Sequence, residues 1–291
     1  MNIDAFPVSP CLVVDRSSRP AGAGGGNARR PAAHLGSGDP RCAHRRRRLL
    51  GAPGTAQPYG GSDRAPRRHP ALRYRPGARH RRPVPHRHAW WAAPLFAYQK
   101  VVPARDQLDA AGIRVDRILL SHAHWDHASG LVDFPEVPVW APYEEIAFSR
   151  IATPPAAFPS QFRHGVRWRP YSFDPTPFMG FDKSLDLFGD GRLVLVPLPG
   201  HTPGSVGLFV TLDSGRRLFF SGDTSWRLEG VEGPRQKFFA GRALVDRDPE
   251  RTLAQLAKIR LLLRSDPRLS VIPAHDARIQ AALGYFPTWL E

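Results

Sequence analysis

Apolar and polar positions fall into two regimes along the chain. From Leu95 onward, short apolar runs alternate with turn residues. Val115–Leu120 predicts a buried strand, and Arg192–Val196 and Ser205–Thr211 predict two more. Asp213-Ser214-Gly215 is a turn signal before a strand over Arg217–Phe220, and Ser270–Pro273 reads as another short strand. Helices are signalled between them. Pro103 can open one through Arg105–Ala111, closed by Gly112, and Pro142 can start a short one through Glu145 and Phe148. Asp248-Pro249-Glu250 starts a third, in which Leu253, Leu256, Ile259, Leu262 and Leu263 follow helical spacing. The pattern predicts an α/β architecture, with sheets covered by helices and a single domain over residues 95–291.

Upstream the pattern dissolves. Residues 1–94 are mostly Arg, Pro, Gly, Ala and His, with no sustained helical or strand period between Arg16 and Ala93. The net charge sharpens the division. Residues 1–95 carry +14 of the chain's +15, from 18 Arg against 4 acidic residues, and the first Lys of the chain is Lys100. Such a composition buries too little apolar surface to offset the entropy of ordering. The segment reads as disordered, or as GC-rich coding sequence translated out of frame. A basic arm for nucleic acid is the competing reading. The rest of the chain is nearly neutral, so nucleic acid is not an expected partner of residues 96–291.

No apolar run approaches the roughly 18 residues of a membrane span. Phe6–Val14 is short and interrupted by two prolines, unlike a signal peptide, so a cytoplasmic protein is expected. Only Cys11 and Cys42 are present, both outside the segment with the chemistry. A metal site there would rest on imidazole and carboxylate.

That chemistry is concentrated directly after the first strand. His122, His124, Asp126 and His127 form H-x-H-x-D-H. Residues two apart on extended backbone face the same way, so His122 and His124 can share an ion while Asp126 and His127 turn toward a second. Further candidates stand after later strands: His201 in Gly200-His-Thr-Pro-Gly-Ser205, Asp223 after Phe219-Phe-Ser-Gly222, and His275 after Val271-Ile-Pro-Ala274. Neutral imidazole and carboxylate suit Zn²⁺ and related divalent ions.

H-x-H-x-D-H followed by G-H-T-P-G, S-G-D and a late His resembles the metallo-β-lactamase superfamily, closest in pattern to its N-acyl-homoserine-lactonase-like members. The resemblance covers about residues 95–291. It implies an αββα sandwich with the site along one edge of the sheets. It assigns His122, His124 and His201 to a first zinc ion, Asp126, His127 and His275 to a second, and Asp223 to a bridge between them. It implies a hydrolase that opens an ester, lactone or amide-like bond with zinc-activated water, Asp126 and Asp223 being the residues closest to the chemistry. The chain departs from the family upstream, where no strand ending in D-T-G occurs between Arg16 and Leu95. This would leave the first sheet with an open edge and raises the alternative of an inactive product. Trp226 stands where lactonases often place a Tyr. Phe158, Phe162, Trp168, Tyr171, Phe173, Phe178, Met179 and Phe181 read as core or as an apolar wall over the metals, suited to an acyl or lactone substrate. Asp276 and Ser221 are candidates for orienting the imidazoles.

Overall fold

The computed structural model describes residues 12–13, 49–50, 102–287 and 289–290. In chain order the elements are β1 (Leu12–Val13), β2 (Leu49–Leu50), α1 (Ala104–Ala110), β3 (Arg117–Leu119), α2 (Trp125–Ala128), β4 (Val139–Pro142), α3 (Tyr143–Ile151) and β5 (Trp168–Tyr171). They continue with β6 (Leu185–Asp186), β7 (Leu193–Pro197), β8 (Val206–Thr211), β9 (Arg217–Gly222), α4 (Leu228–Glu232), α5 (Phe239–Val245), α6 (Pro249–Ser265), β10 (Leu269–Pro273), α7 (Ala277–Leu283) and β11 (Trp289–Leu290). One sheet has the order β1-β3-β4-β5, a second β10-β9-β8-β7-β6, and β11 pairs with β2.

The period-2 alternation of the strands builds the layers. In the second sheet Leu193, Leu195, Leu208, Val210, Leu218 and Ile272 point inward, where they meet Leu119 and Tyr171 of the first sheet in one cluster. Their neighbours Val194, Val196, Phe209, Phe219 and Val271 point outward, against Leu256, Ile259 and Leu262 of α6 and Val231 of α4. In the first sheet Ile118 and Val139 face out, toward Leu108 of α1 and Ile146 of α3. Helix, sheet, sheet, helix is the expected αββα arrangement. Leu253, aligned with the apolar row of α6 in the sequence, instead faces solvent at 41% exposure.

Two readings of the N-terminal third change. The edge of β3 expected to be open is paired antiparallel with β1, Leu12 opposite Ile118. Leu49–Leu50, inside the stretch read as strandless, pairs with Leu290–Trp289. The disordered or out-of-frame reading of residues 1–94 and the basic arm otherwise fall outside the described residues.

The start of α6 matters to the site, because it is tied to the His201 loop. Arg247 N donates to His201 O at 3.0 Å and Asp248 N to Gly200 O at 2.8 Å. Asp248 caps the helix, accepting from Arg251 N at 3.0 Å, with Pro249 at the first helical position. Asp248→Ala leaves that amide without its cap and is expected to cost about 1 kcal/mol. A urea melt checks this, as a lower midpoint with unchanged slope.

Candidate metal centre

Each candidate residue sits just past a strand end, where the backbone leaves the ladder and side chains become free to converge. His122 and His124 follow β3, Asp126 and His127 lie on α2, His201 follows β7, Asp223 follows β9, and His275 follows β10. β9 and β10 run parallel side by side, which carries Asp223 and His275 out at the same end of the sheet. The structure brings all seven together in two groups, His122, His124 and His201, and Asp126, His127, Asp223 and His275. Within each group one ligand-type atom per residue lies within 4.8 Å of the others.

Asp223 lies between the groups. Its Oδ1 is 3.2 Å from His127 Nε2, and its Oδ2 is 3.1 Å from His275 Nε2 and 3.5 Å from His201 Nε2. Asp126 Oδ2 adds a contact of 3.3 Å to His275 Nε2, and the Nε2 atoms of His122 and His201 are 3.2 Å apart. The side chains of His122, His124, His127, His201, Asp223 and His275 are buried.

The donor set fits divalent cations on two observations. His127 Nε2 and Asp223 Oδ1 are buried and, despite their proximity, neither has a hydrogen-bond partner among the described residues, a cost that coordination removes. The three imidazoles of the first group also favour the neutral form that binds metal. Burial, reinforced by neighbouring imidazoles, holds His122 well below the usual histidine range. Burial does the same for His201, with Lys237 contributing, and brings His124 down to about 4. The carboxylates behave oppositely. Burial opposes ionisation of Asp223, but the charges of His275 and His127 outweigh it and hold the acid well below its usual range. Burial likewise opposes protonation of His275, yet Asp223 and Asp126 raise it to about 10. A proton on His275 thus neutralises charge that a cation would neutralise directly.

The groups that orient these imidazoles differ from those expected. Asp276 caps α7, accepting from Arg278 N and Ile279 N, and its other oxygen takes Leu228 N at 2.9 Å; it holds loops rather than a ring. Ser221 Oγ is buried and has no hydrogen-bond partner among the described residues. Instead Asp246 Oδ1 lies 2.6 Å from His201 Nδ1. An imidazole bonded to a carboxylate through Nδ1 carries its proton there and turns the Nε2 lone pair to the centre. Lys237 Nζ, nearly buried, contacts the same Asp246 oxygen at 2.8 Å. Ser121 Oγ sits 3.2 Å from His122 Nδ1 and 3.1 Å from His127 Nδ1, linking one ring of each group. Asp246 is 45 residues from His201, so no local pattern announced it. Ser121 adjoins the motif and its position was the available signal.

The aromatic segment is core. Tyr171 joins the inter-sheet cluster with Phe173, Phe181 the outer one with Phe178 and Met179, and Phe162 and Trp168 pack under α1 and α3. A cleft of about 620 Å³ opens beside His124 instead, between α3 and α5, lined by Phe148, Ile151, Ala152, Pro203, Leu244 and Val245 among others. The ring of Trp226 lies 6.4 Å from that of His275.

The family model described as the metallo-beta-lactamase superfamily matches residues 88–275. A probable metallo-hydrolase of Mycobacterium tuberculosis is 32% identical over 195 residues, which are 62% of this chain and 62% of that protein, so the chain spans less than two thirds of this relative. The N-acyl homoserine lactonase AttM of Rhizobium radiobacter is 28% identical over 135 residues, 44% of this chain and 49% of the relative. Among solved structures, a mutant of B. thuringiensis AiiA with N-decanoyl-L-homoserine bound at its active site superposes with a TM-score of 0.50 at 19% identity, over 63% of this chain and 66% of that one. At that identity the likeness is one of fold.

Proposed function

The chain belongs to the metallo-beta-lactamase superfamily of hydrolases, and on that premise we propose that it binds two zinc ions and hydrolyses an ester or lactone with an apolar acyl part. His122, His124 and His201 would hold one ion, Asp126, His127 and His275 the other, and Asp223 both. The observation that carries this reading is Asp223, one carboxylate within 3.5 Å of imidazoles from both groups. Bound divalent ions supply Lewis acidity to a carbonyl and bring the pKa of water down to about 7.

The protein's own residues do the remaining work. Asp126 and Asp223 bring two negative charges into a buried pocket, which favours cations there over water alone. Asp246 fixes the ring of His201. The cleft beside His124 offers a trough of mixed lining for a substrate, with Phe148, Ile151 and Leu244 as apolar contacts for an acyl chain and Glu144 and Arg247 as charged ones. Trp226 can donate one hydrogen bond through its indole N–H but cannot exchange a proton as a phenol can. It is therefore no candidate for a general acid.

Metal removal tests the proposal. Dialysis against a chelator is expected to abolish hydrolysis of acyl lactones and aryl esters. Two equivalents of Zn²⁺ should restore it, with bound metal counted by elemental analysis. Turnover that survives complete removal of metal would refute the reading.

A further inference from the structure

Glu145 is a carboxylate that the chemistry above does not use. It lies in α3, is 0% exposed, and forms no ion pair among the described residues. Burying a charge in this way is costly unless its oxygens are well satisfied. They are: one accepts from Ala123 N at 2.5 Å, and the other accepts from Thr202 Oγ1 at 2.7 Å and Gly204 N at 2.9 Å. Burial still pushes its acid up to about 7, against these three bonds.

The donors have one thing in common. Ala123 lies between His122 and His124, and Thr202 follows His201. A single carboxylate thus joins the two backbone segments that present the whole first imidazole group, one from each sheet. Thr202 extends the knot, its hydroxyl 2.6 Å from Ser205 Oγ. The segments meet α3 without space between. A Cβ at Gly204 would stand 2.4 Å from Glu145 N, so only glycine lets the loop approach this closely. Among the described residues, none of the hydrogen bonds of Glu145 goes to the segments bearing Asp223 or His275, and its bond on the first-sheet side is to Ala123, between His122 and His124 and ahead of α2.

We propose that Glu145 is a positioning residue for the first group alone: it holds the His122–His124 segment and the His201 loop in register, and that group's metal affinity depends on it. The inference rests on the two-ion reading above.

Glu145→Gln keeps the shape but replaces one acceptor oxygen with an amide NH₂, so at least one of the three donors faces another donor. Its effect is measured as Zn²⁺ affinity in two backgrounds that separate the groups. In His275→Ala, which leaves the first group intact, Glu145→Gln should weaken binding about 10–100-fold, the range typical of groups that orient metal-binding side chains. In His201→Ala, which leaves the second group intact, affinity should not change. Equal weakening in both backgrounds, or none in the first, overturns the proposal. If Glu145→Gln does not fold, as judged by circular dichroism, Thr202→Val removes one donor at similar volume. It should weaken the first group alone, by a smaller factor, and equal effects on both groups again overturn the idea. A wild-type chain that fails to bind two ions refutes the two-ion reading itself, whereas Glu145→Gln binding both like wild type refutes only the role of Glu145.

Discussion

Asp223→Ala should abolish stable metal binding and lower turnover by at least about 10²-fold, since bound ions generate the nucleophile in enzymes of this kind. The size of the effect follows from geometry. One oxygen of Asp223 faces His127 and the other faces His275 and His201. Its loss strips a negative charge from the space between both groups at once, whereas loss of any one histidine touches a single group. Burial adds to the consequence. Five imidazoles would remain crowded around a cavity with one carboxylate, Asp126, to balance a cation there. Elemental analysis of the purified variant, with turnover measured on the same sample, checks the prediction. Two ions retained at wild-type affinity would contradict it.

Phe219→Ala should destabilise the fold by about 3–5 kcal/mol, the usual cost of removing a buried phenyl ring, against a total of about 5–15 kcal/mol for a typical domain. Phe219 is 0% exposed and stacks on Phe209 with centroids 4.1 Å apart. Its ring also lies over Gly207, where a Cβ would come within 2.7 Å of the ring carbons. The missing side chain at 207 is therefore the seat for the ring at 219, and alanine at 219 leaves a void that this backbone cannot fill by collapse. The measurement is equilibrium denaturation in urea; a loss under 1 kcal/mol would mean that the outer core repacks freely. Because Phe219 and Asp223 share the segment through β9, weaker metal retention should accompany the loss.

The strands that carry chemistry were legible because each is an apolar run ending at a polar or glycine signal. β7, β8, β9 and β10 fall within a residue or two of their expected bounds. β4 and β5 were not legible. Their segments contain Pro142 and Pro170, and proline argues against a strand. In the structure Pro142 closes β4, and Pro170 sits in β5 at the edge of its sheet, where a missing N–H is tolerated. The seven candidate ligands were visible through residue type and spacing. Asp246 and Glu145 were not, because each acts across a long sequence separation and nothing beside it in the chain marks the partner. The aromatic run 158–181 reads in the sequence as core or as an apolar wall, and the structure makes it core; composition shows that aromatic rings are present but not which face of a sheet they reach.

The parallel pairing of β10 with β9 has a consequence for biosynthesis. Residues 223–268 separate these neighbours and hold α4, α5 and α6, so the two strands cannot meet until that whole crossover has been made. His275 reaches Asp223 only by this docking. On the ribosome, a chain halted before residue 275 would display His122, His124 and Asp126 without the imidazole that closes the second group, and a half-built cage of this kind has little hold on passing cations. Metal loading would thereby wait until α4, α5 and α6 have been made and β10 has docked on β9.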